Sequence, residues 1–535
     1  MDVLSPPKIP RVERSPRAHS TGSRLIQNTV SNIVGQVVVV LLTFFSTPYI
    51  TRKLGAVQYG ALSLLMTYLF AFSLLNLGIN TSLVKYLAEL VPKRRISAMQ
   101  GYVSTSLTIL VGIGVLIGLT VCVFAGPIVR ICFRGSAELV PLTVLALRIA
   151  SVAFILQFVT QVMLSVPTAM QRFEIVNVVR AGSEALRIAG AVVLLWLGYG
   201  LPSLMGMVLV ASLSACIAYA FAAKKLLPAL NIVPGFSRSH LGSLLTHSKY
   251  VVLANAGNQV VSAADVFLIG YFLPVANVAY YGIGYTLAQR MATFVNNVVS
   301  VVFPAASSFS GAEQAGKVKE LYLRGIKLCA TVGCFPALAL SIFSRPFLLY
   351  WLGPDYAREG ALVLTLLAVG FLINSFSYVP YQVLQSTHHA DTAAKAIAAY
   401  TILNVTLFLL LIPRFGIVGA AAGFLIAQLV FVPLFMQRAN QLLGVRWKTV
   451  LSVSYLRPFV ATSLAAAVCW MCRSWVSSFG TLAAAVTIGG TVYTLLVVLA
   501  VLDSGERAAS ILLVNRWISS LRLRGSRARE AAING

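Results

Sequence analysis

Charge is what this chain has least of. Only 10% of its 535 residues are Asp, Glu, Lys or Arg, against about 25% in an ordinary soluble domain. Acidic residues number 15, and 58% of the chain is hydrophobic. No soluble fold hides that much apolar surface, so the bilayer is the expected solvent. The five histidines have no metal-ligand spacing, and the seven cysteines are scattered. Cys469 and Cys472 form a CxxC without a second ligand pair, which reads as two small apolar core residues. No metal or cofactor is expected. Long outer loops are also lacking: each predicted one has about 15 residues or fewer. A membrane glycan polymerase or ligase would want catalytic residues on such a loop, so the chain does not read as an enzyme. "GAEQAGKV" at 311–318 imitates a phosphate-binding loop, but Val318 stands where Ser or Thr would hold magnesium, and no strand precedes it. The sequence shows no ATPase module, so any work the chain does would draw on an ion gradient, on removal of product, or on both.

Long apolar runs are plentiful. Fourteen lie near 27–50, 58–82, 101–125, 139–166, 174–198, 202–226, 248–272, 277–304, 325–350, 360–385, 393–412, 416–437, 454–475 and 480–502. A membrane-spanning helix needs roughly 20 such residues. Barrel strands alternate apolar and polar over about ten residues. These runs are apolar nearly all round, and a helix satisfies its own backbone in lipid. The predicted fold is therefore an all-α polytopic membrane protein. About 14 transmembrane helices form two pseudo-symmetric six-helix lobes and a C-terminal helix pair. The divisions are a basic disordered cytoplasmic tail at 1–24, an N-lobe at 25–228, a C-lobe at 245–440, spans 13–14 at 450–503, and a basic tail at 504–535. Residues 507–524 there read as an amphipathic helix on the inner leaflet. Four prolines and five basic residues in the first 24 argue against a signal peptide.

Lysine and arginine bias sets the orientation. With the N-terminus inside, thirty of the 41 basic residues fall on inner loops and tails, eight on outer loops, and Arg148, Arg187 and Arg290 inside helices. Both termini are then cytoplasmic. The net charge of +26 reports this topology and contact with anionic membrane lipids. Being scattered over short loops, it does not read as a nucleic-acid surface.

The two halves repeat. A join with Tyr59-Gly60 between spans 1 and 2 recurs as Tyr281-Gly282 between spans 7 and 8. One helix earlier, "NIVGQVV" at 32–38 recurs as "NAGNQVV" at 255–261. "AGPIVRICF" resembles "SRPFLLYWL", "SVPTAMQ" resembles "YVPYQVLQ", and "YGLPSLMG" resembles "FGIVGAAAG", at offsets drifting only between about 213 and 223. Each half holds six spans, so the repeats are parallel, and a transporter with a midplane cavity between lobes is expected. Gly at each join reads as the residue that turns the hairpin.

Polar stripes nominate the lining. Asn28, Asn32 and Gln36 share a face of span 1; Asn255, Gln259 and Ser262 share one of span 7. Helix–helix hydrogen bonding is the equal alternative for each of them. In-span charges are costly and so purposeful: Arg148, Glu184, Arg187, Asp265 and Arg290. Glu184 and Arg187, three apart, read as a structural pair. Arg290 could meet an anionic substrate, and Asp265 is the candidate for ion coupling. Arg24, Lys85 and Lys249, where spans meet the cytoplasm, could capture an entering phosphate or simply anchor topology.

"YITRKLGAVQYGALSLLMTYLFAFSLLNLGINTSLVKYLAEL" resembles the first hairpin of bacterial polysaccharide-unit flippases. These form the O-antigen and exopolysaccharide branch of the multidrug/oligosaccharidyl-lipid/polysaccharide exporter superfamily. The "LG…YG" join, "LGI…SLVKYLAE" closing span 2 and "FGIVGAAAG" opening span 12 carry the resemblance, which covers roughly residues 25–450. It implies alternating access by the two lobes. The cargo would be an oligosaccharide on undecaprenyl pyrophosphate, moved from inner to outer leaflet. A cationic cavity to which Arg148, Arg187 and Arg290 are suited would receive it. Polysaccharide polymerase or export machinery would be partners, and the protein would act as a monomer. A drug–cation antiporter and a lipid II flippase of the same superfamily are the alternatives. Three arginines against two acids within the spans favour an anionic cargo.

Overall fold

The computed structural model describes residues 19–72, 78–132, 137–244, 263–300, 315–386 and 390–507. Every regular element among them is helical. In chain order they are α1 (His19–Phe72), α2 (Ile79–Leu90), α3 (Ile96–Val123), α4 (Ala125–Cys132), α5 (Val140–Ala169), α6 (Phe173–Trp196) and α7 (Leu201–Leu226). Then come α8 (Ala263–Phe272), α9 (Ala276–Val299), α10 (Ala315–Ile342), α11 (Ser344–Trp351), α12 (Pro354–Ser375), α13 (Tyr378–Ser386), α14 (Ala390–Leu443), α15 (Leu456–Cys472) and α16 (Phe479–Leu496). Nine stretches among the described residues are long and apolar enough to cross a bilayer. Each of the fourteen predicted runs overlaps a helix. Side chains turned outward are largely apolar, including Leu116, Trp196, Phe221, Ile402 and Leu464, which is the face lipid requires.

Helix α1 begins at His19, inside the predicted tail. It is broken once, at Gly55, whose φ of 70° is left-handed. A second break, at Gly416 with φ 61°, divides α14 where spans 11 and 12 were expected to meet. The residue that turns the first join is therefore Gly55 rather than Gly60. Gly60 lies within helix and does something else. A Cβ there would run into the Val275 backbone carbonyl, while a Cβ on Gly282 would lie 3.9 Å from Ser63. The two joins thus pack against each other, with Val275 fully buried. Replacing Gly60 with Ala should destabilise the protein by about 1–3 kcal/mol, because a backbone carbonyl cannot swing aside. The midpoint of thermal unfolding in detergent reads this out, with Gly282→Ala as the near-neutral companion.

The chain divides into two compact units. The first draws on Met1–Ile50, Leu75–Ala125 and Leu145–Val251; the second on Thr51–Leu74, Gly126–Val144 and Val252–Gly535. In the first, Gly114 of α3 lies against Phe158 of α5, and Gly118 against Ile155 and the Ser151 carbonyl. Small residues let these helices approach where lipid supplies no hydrophobic drive between them. Asn80 Nδ2 donates to Gln161 Oε1 at 3.0 Å, joining α2 to α5. Segment 227–244 is strapped onto α3: Gly235 N donates to Thr108 Oγ1 at 2.9 Å, and Ser237 N to Thr105 Oγ1 at 3.2 Å.

The second unit centres on the fully buried Tyr322, which donates to Asn440 Oδ1 at 2.7 Å from within an apolar cluster of α9, α10, α13 and α14. Spans 13 and 14 belong to this unit. Tyr493 Oη of α16 donates to the Thr331 carbonyl of α10 at 2.7 Å. Cys469 and Cys472 pack with Phe343, Leu482 and Ala485, apolar core as their sequence suggested. Lys327 of α10 is 5% exposed, yet donates to Asp503 Oδ2 at 3.2 Å and Glu506 Oε2 at 2.7 Å, beyond α16. Arg457 Nη1 of α15 donates to Asp503 Oδ1 at 2.8 Å. Removing both acids would strand a buried ammonium, which is worse than never having one. The hydrogen bond and charge of Lys327, aided by Arg457, hold the Asp503 carboxyl below its ordinary value of 3.8. A carboxylate lowered in the folded state stabilises fully above that ordinary value and stops doing so as pH falls through the lowered one. Thermal stability should therefore drop on acidification below about pH 4, and Asp503→Asn should blunt the drop.

The phosphate-loop imitation is settled by α10. Gly316-Lys317-Val318 lies in its first turn, and Val318 is buried. Residues 311–314 lie outside the described residues.

Candidate functional site

Two features of the second unit carry polar chemistry within apolar helices. The first is buried. Asp265 on α8 is 1% exposed. A carboxylate taken out of water is costly unless donors replace the water. Tyr281 Oη of α9 donates to Asp265 Oδ2 at 2.7 Å, and Val266 N donates to Oδ1 at 2.8 Å. Tyr281 is itself fully buried and stacks on Tyr285, ring centroids 6.0 Å apart. Tyr285 Oη accepts from Gln289 Nε2 at 3.2 Å, one helical turn on. From α14, Tyr400 lies within electrostatic reach of both Asp265 and Tyr285. Its hydroxyl accepts from Gln428 Nε2 at 2.8 Å and Asn404 Nδ2 at 3.3 Å. Gln428 Oε1 in turn accepts from Asn374 Nδ2 of α12 at 3.2 Å. Asn404 Oδ1 is buried and has no hydrogen-bond partner among the described residues. Helices α8 and α9 thus hold a carboxylate bonded to a phenol, and α12 and α14 a neighbouring network of amides around the Tyr400 hydroxyl. No lysine or arginine pairs with Asp265 among the described residues.

The second feature is open. On α9, Thr286, Arg290, Thr293 and Asn297 are all exposed at spacings of four, three and four. That spacing is one helical face. Phe294, four residues beyond Arg290, is 59% exposed on the same face, so the stripe mixes hydrogen-bonding groups and one cation with an aromatic ring. A guanidinium set among threonine and asparagine is not what lipid selects, so this face suits water, cargo or protein. Among the described residues Arg290 forms no hydrogen bond or ion pair through its guanidinium. Asp265 and Arg290 are not paired: the carboxylate is inside the unit and the guanidinium outside it.

The other nominated residues are placed as follows. Arg148 of α5 is exposed, flanked by exposed Leu145 and Val152. Arg187 Nε donates to Glu184 Oε2 at 3.0 Å and forms an ion pair with it, the structural pair their spacing suggested. Arg24, Asn32 and Gln36 lie on α1, with side chains outside the described residues. Lys249, Asn255 and Gln259 lie wholly outside them. Lys85 is exposed beside the Tyr86 ring, 5.7 Å from its centroid. Sequence reasoning missed Tyr400, Asn404 and Gln428, although Tyr400 and Asn404 share a helix face.

Long kinked helices with apolar outer faces define an all-α polytopic membrane fold. A solved structure titled "Lipid II flippase MurJ, inward closed conformation" has that fold: the match covers 88% of this chain and 98% of that one, with a TM-score of 0.72 and 14% identity. A profile described as "Polysaccharide biosynthesis protein" matches residues 49–359, more than half of the sequence, and the chain belongs to that family. It is 27% identical over 190 residues to "Probable low-salt glycan biosynthesis flippase Agl15" of Haloferax volcanii, 36% of this chain and 40% of that one. The chain therefore spans less than half the length of that relative. A Shigella flexneri protein provisionally named an O-antigen transporter is 18% identical over 398 residues, 74% of this chain and 93% of that one.

Proposed function

We propose that this protein flips oligosaccharide repeat units linked to undecaprenyl pyrophosphate from the inner to the outer leaflet of the bacterial cytoplasmic membrane, for O-antigen or exopolysaccharide synthesis. The observation that carries the reading is the open polar stripe with Arg290 at its centre, in a chain of the polysaccharide biosynthesis family. A pyrophosphate sheds its water into a membrane only where cations and donors replace it. Arg290 supplies a five-donor fork, and Thr286, Thr293 and Asn297 supply hydroxyl and amide partners suited to sugars. Arg148 and Arg187, with Asn32, Gln36, Asn255, Gln259, Arg24 and Lys249, complete the proposed path. Both termini are cytoplasmic, and the cycle is alternating access between the two lobes. The Asp265 cluster couples the cycle to an ion: its carboxylate takes a proton or a monovalent cation inside a shell of phenols and amides. Polymerase and export proteins would consume the flipped unit.

Deleting the gene tests this directly. Complete lipid-linked units should accumulate while surface polymer disappears, and mass spectrometry of the trapped lipid identifies the sugar. Unchanged lipid and polymer with new sensitivity to cationic drugs would instead assign the chain to drug–cation antiport.

A further inference from the structure

A second polar site lies far along the same unit. At the end of α10, Ser341 meets Ser344 of α11 and Thr365 of α12; across from them lie Trp470 in the last turn of α15 and Arg473 just beyond it. Between these residues lies an open pocket of about 420 Å³, completed by Ile342, Ala361 and Leu362. That volume suits one small polar headgroup. The hydroxyl hydrogens are already committed. Ser341 Oγ donates to the Ala337 carbonyl at 2.7 Å, Ser344 Oγ to the Ser341 carbonyl at 3.2 Å, and Thr365 Oγ1 lies 3.0 Å from the Ala361 carbonyl and 3.1 Å from Ser344 Oγ. The floor therefore offers mostly oxygen lone pairs, which accept hydrogen bonds.

The wall offers the opposite. The Arg473 guanidinium carbon sits 5.0 Å from the centroid of the Trp470 ring. Cation–π attraction of this kind uses none of the guanidinium's N–H donors. Among the described residues no carboxylate pairs with Arg473. Below the polar end, the lip is apolar and outward-facing: Leu362 is 53% exposed and Trp470 61%. Tryptophan is enriched at the boundary between acyl chains and headgroups, and Trp470 lies near the end of its span. With the N-terminus cytoplasmic, α10 and α15 both reach the outer surface here.

We propose that this pocket binds the phosphate of a lipid headgroup in the outer leaflet. Arg473 takes the phosphate by its fork. The Ser344 and Thr365 oxygens accept from the headgroup's terminal hydroxyl or ammonium, and the acyl chains lie along Leu362 and Trp470. The phosphate has two sources that share the contact with Arg473: a bulk phosphodiester lipid, which alone brings a terminal hydroxyl or ammonium to Ser344 and Thr365, or the polyprenyl phosphate carrier after its passage.

Native mass spectrometry of the full chain in detergent tests the site, titrating phosphatidylglycerol and undecaprenyl phosphate separately. Arg473→Gln should weaken the first lipid bound by about tenfold, the usual worth of a charged hydrogen-bonding pair. Ala361→Phe should fill the pocket and weaken binding while leaving Arg473 in place. Arg358→Gln, which removes an outer arginine already bonded to Glu359 at 2.9 Å, should leave binding unchanged. Loss of phosphatidylglycerol alone assigns the site to bulk lipid; loss of undecaprenyl phosphate alone assigns it to the carrier. Equal binding by wild type, Arg473→Gln and Ala361→Phe overturns the proposal, and so does an equal loss in Arg358→Gln, which would reduce the effect to general surface charge.

Discussion

Replacing Arg290 with alanine is expected to lower export of surface polymer at least about tenfold while the protein reaches the membrane in normal amount. The reasoning turns on what the side chain leaves behind. Arg290 has no partner among the described residues, so its removal orphans no buried group and folding is unharmed. What is lost is the fork for an anionic cargo. Arg290→Lys should recover part of the flux, since it restores charge but not the fork. Arg187→Ala is the instructive contrast. It leaves Glu184 half-buried without its guanidinium, so any transport defect there is mixed with instability. Quantifying surface polymer against the amount of membrane protein separates the two. Normal export by fully inserted Arg290→Ala would remove that arginine from the site.

The second large effect is expected at Asp265. Asp265→Asn keeps the size of the side chain, and its amide oxygen still accepts from the Tyr281 hydroxyl, but its amide nitrogen cannot accept from Val266 N as the second carboxylate oxygen does. A loss of stability of about 1 kcal/mol is therefore expected, so transport is compared at equal amounts of folded protein. The ability to take up and release a proton or a monovalent cation is abolished, so gradient-driven flipping should fall at least about tenfold, with any residual transport no longer answering to the gradient. Tyr281→Phe removes one of the two donors to the carboxylate. It should shift the ion concentration at half-maximal rate more than the maximal rate itself. Transport by Asp265→Asn that still tracks the gradient would reduce Asp265 to a structural role.

Much of the fold was legible because lipid imposes a simple grammar. Apolar runs of helical length, interrupted by basic joins, marked where helices form, and each predicted run overlaps one. The joins were read less well. Tyr59-Gly60 and Tyr281-Gly282 recur for reasons that a repeat alone does not disclose. The turn belongs to Gly55, Gly60 is small because Val275 lies against it, and Tyr281 is present because Asp265 needs a donor. The charge on Asp265 was visible as an anomaly in a run of apolar residues. The amide network beside it was not, since Tyr400, Asn404 and Gln428 come from a helix more than a hundred residues away. Lys327 also escaped, because a lysine at a span end normally reaches for water. Here the Asp503–Glu506 turn comes to it instead. Arg187 shows the converse: its pairing with Glu184 is local, three residues apart, and could be read directly.

The central claim is movement of a lipid-linked glycan across the membrane, and sidedness tests it most directly. Spheroplasts depleted of the protein would be treated with a membrane-impermeant glycan-oxidising reagent, and the lipid-linked oligosaccharide then extracted and scored as modified or protected. The account predicts that the accumulated units stay protected, on the cytoplasmic side, until the protein is restored. Accumulated units that are modified without it would already lie outside, and the protein would not be their flippase.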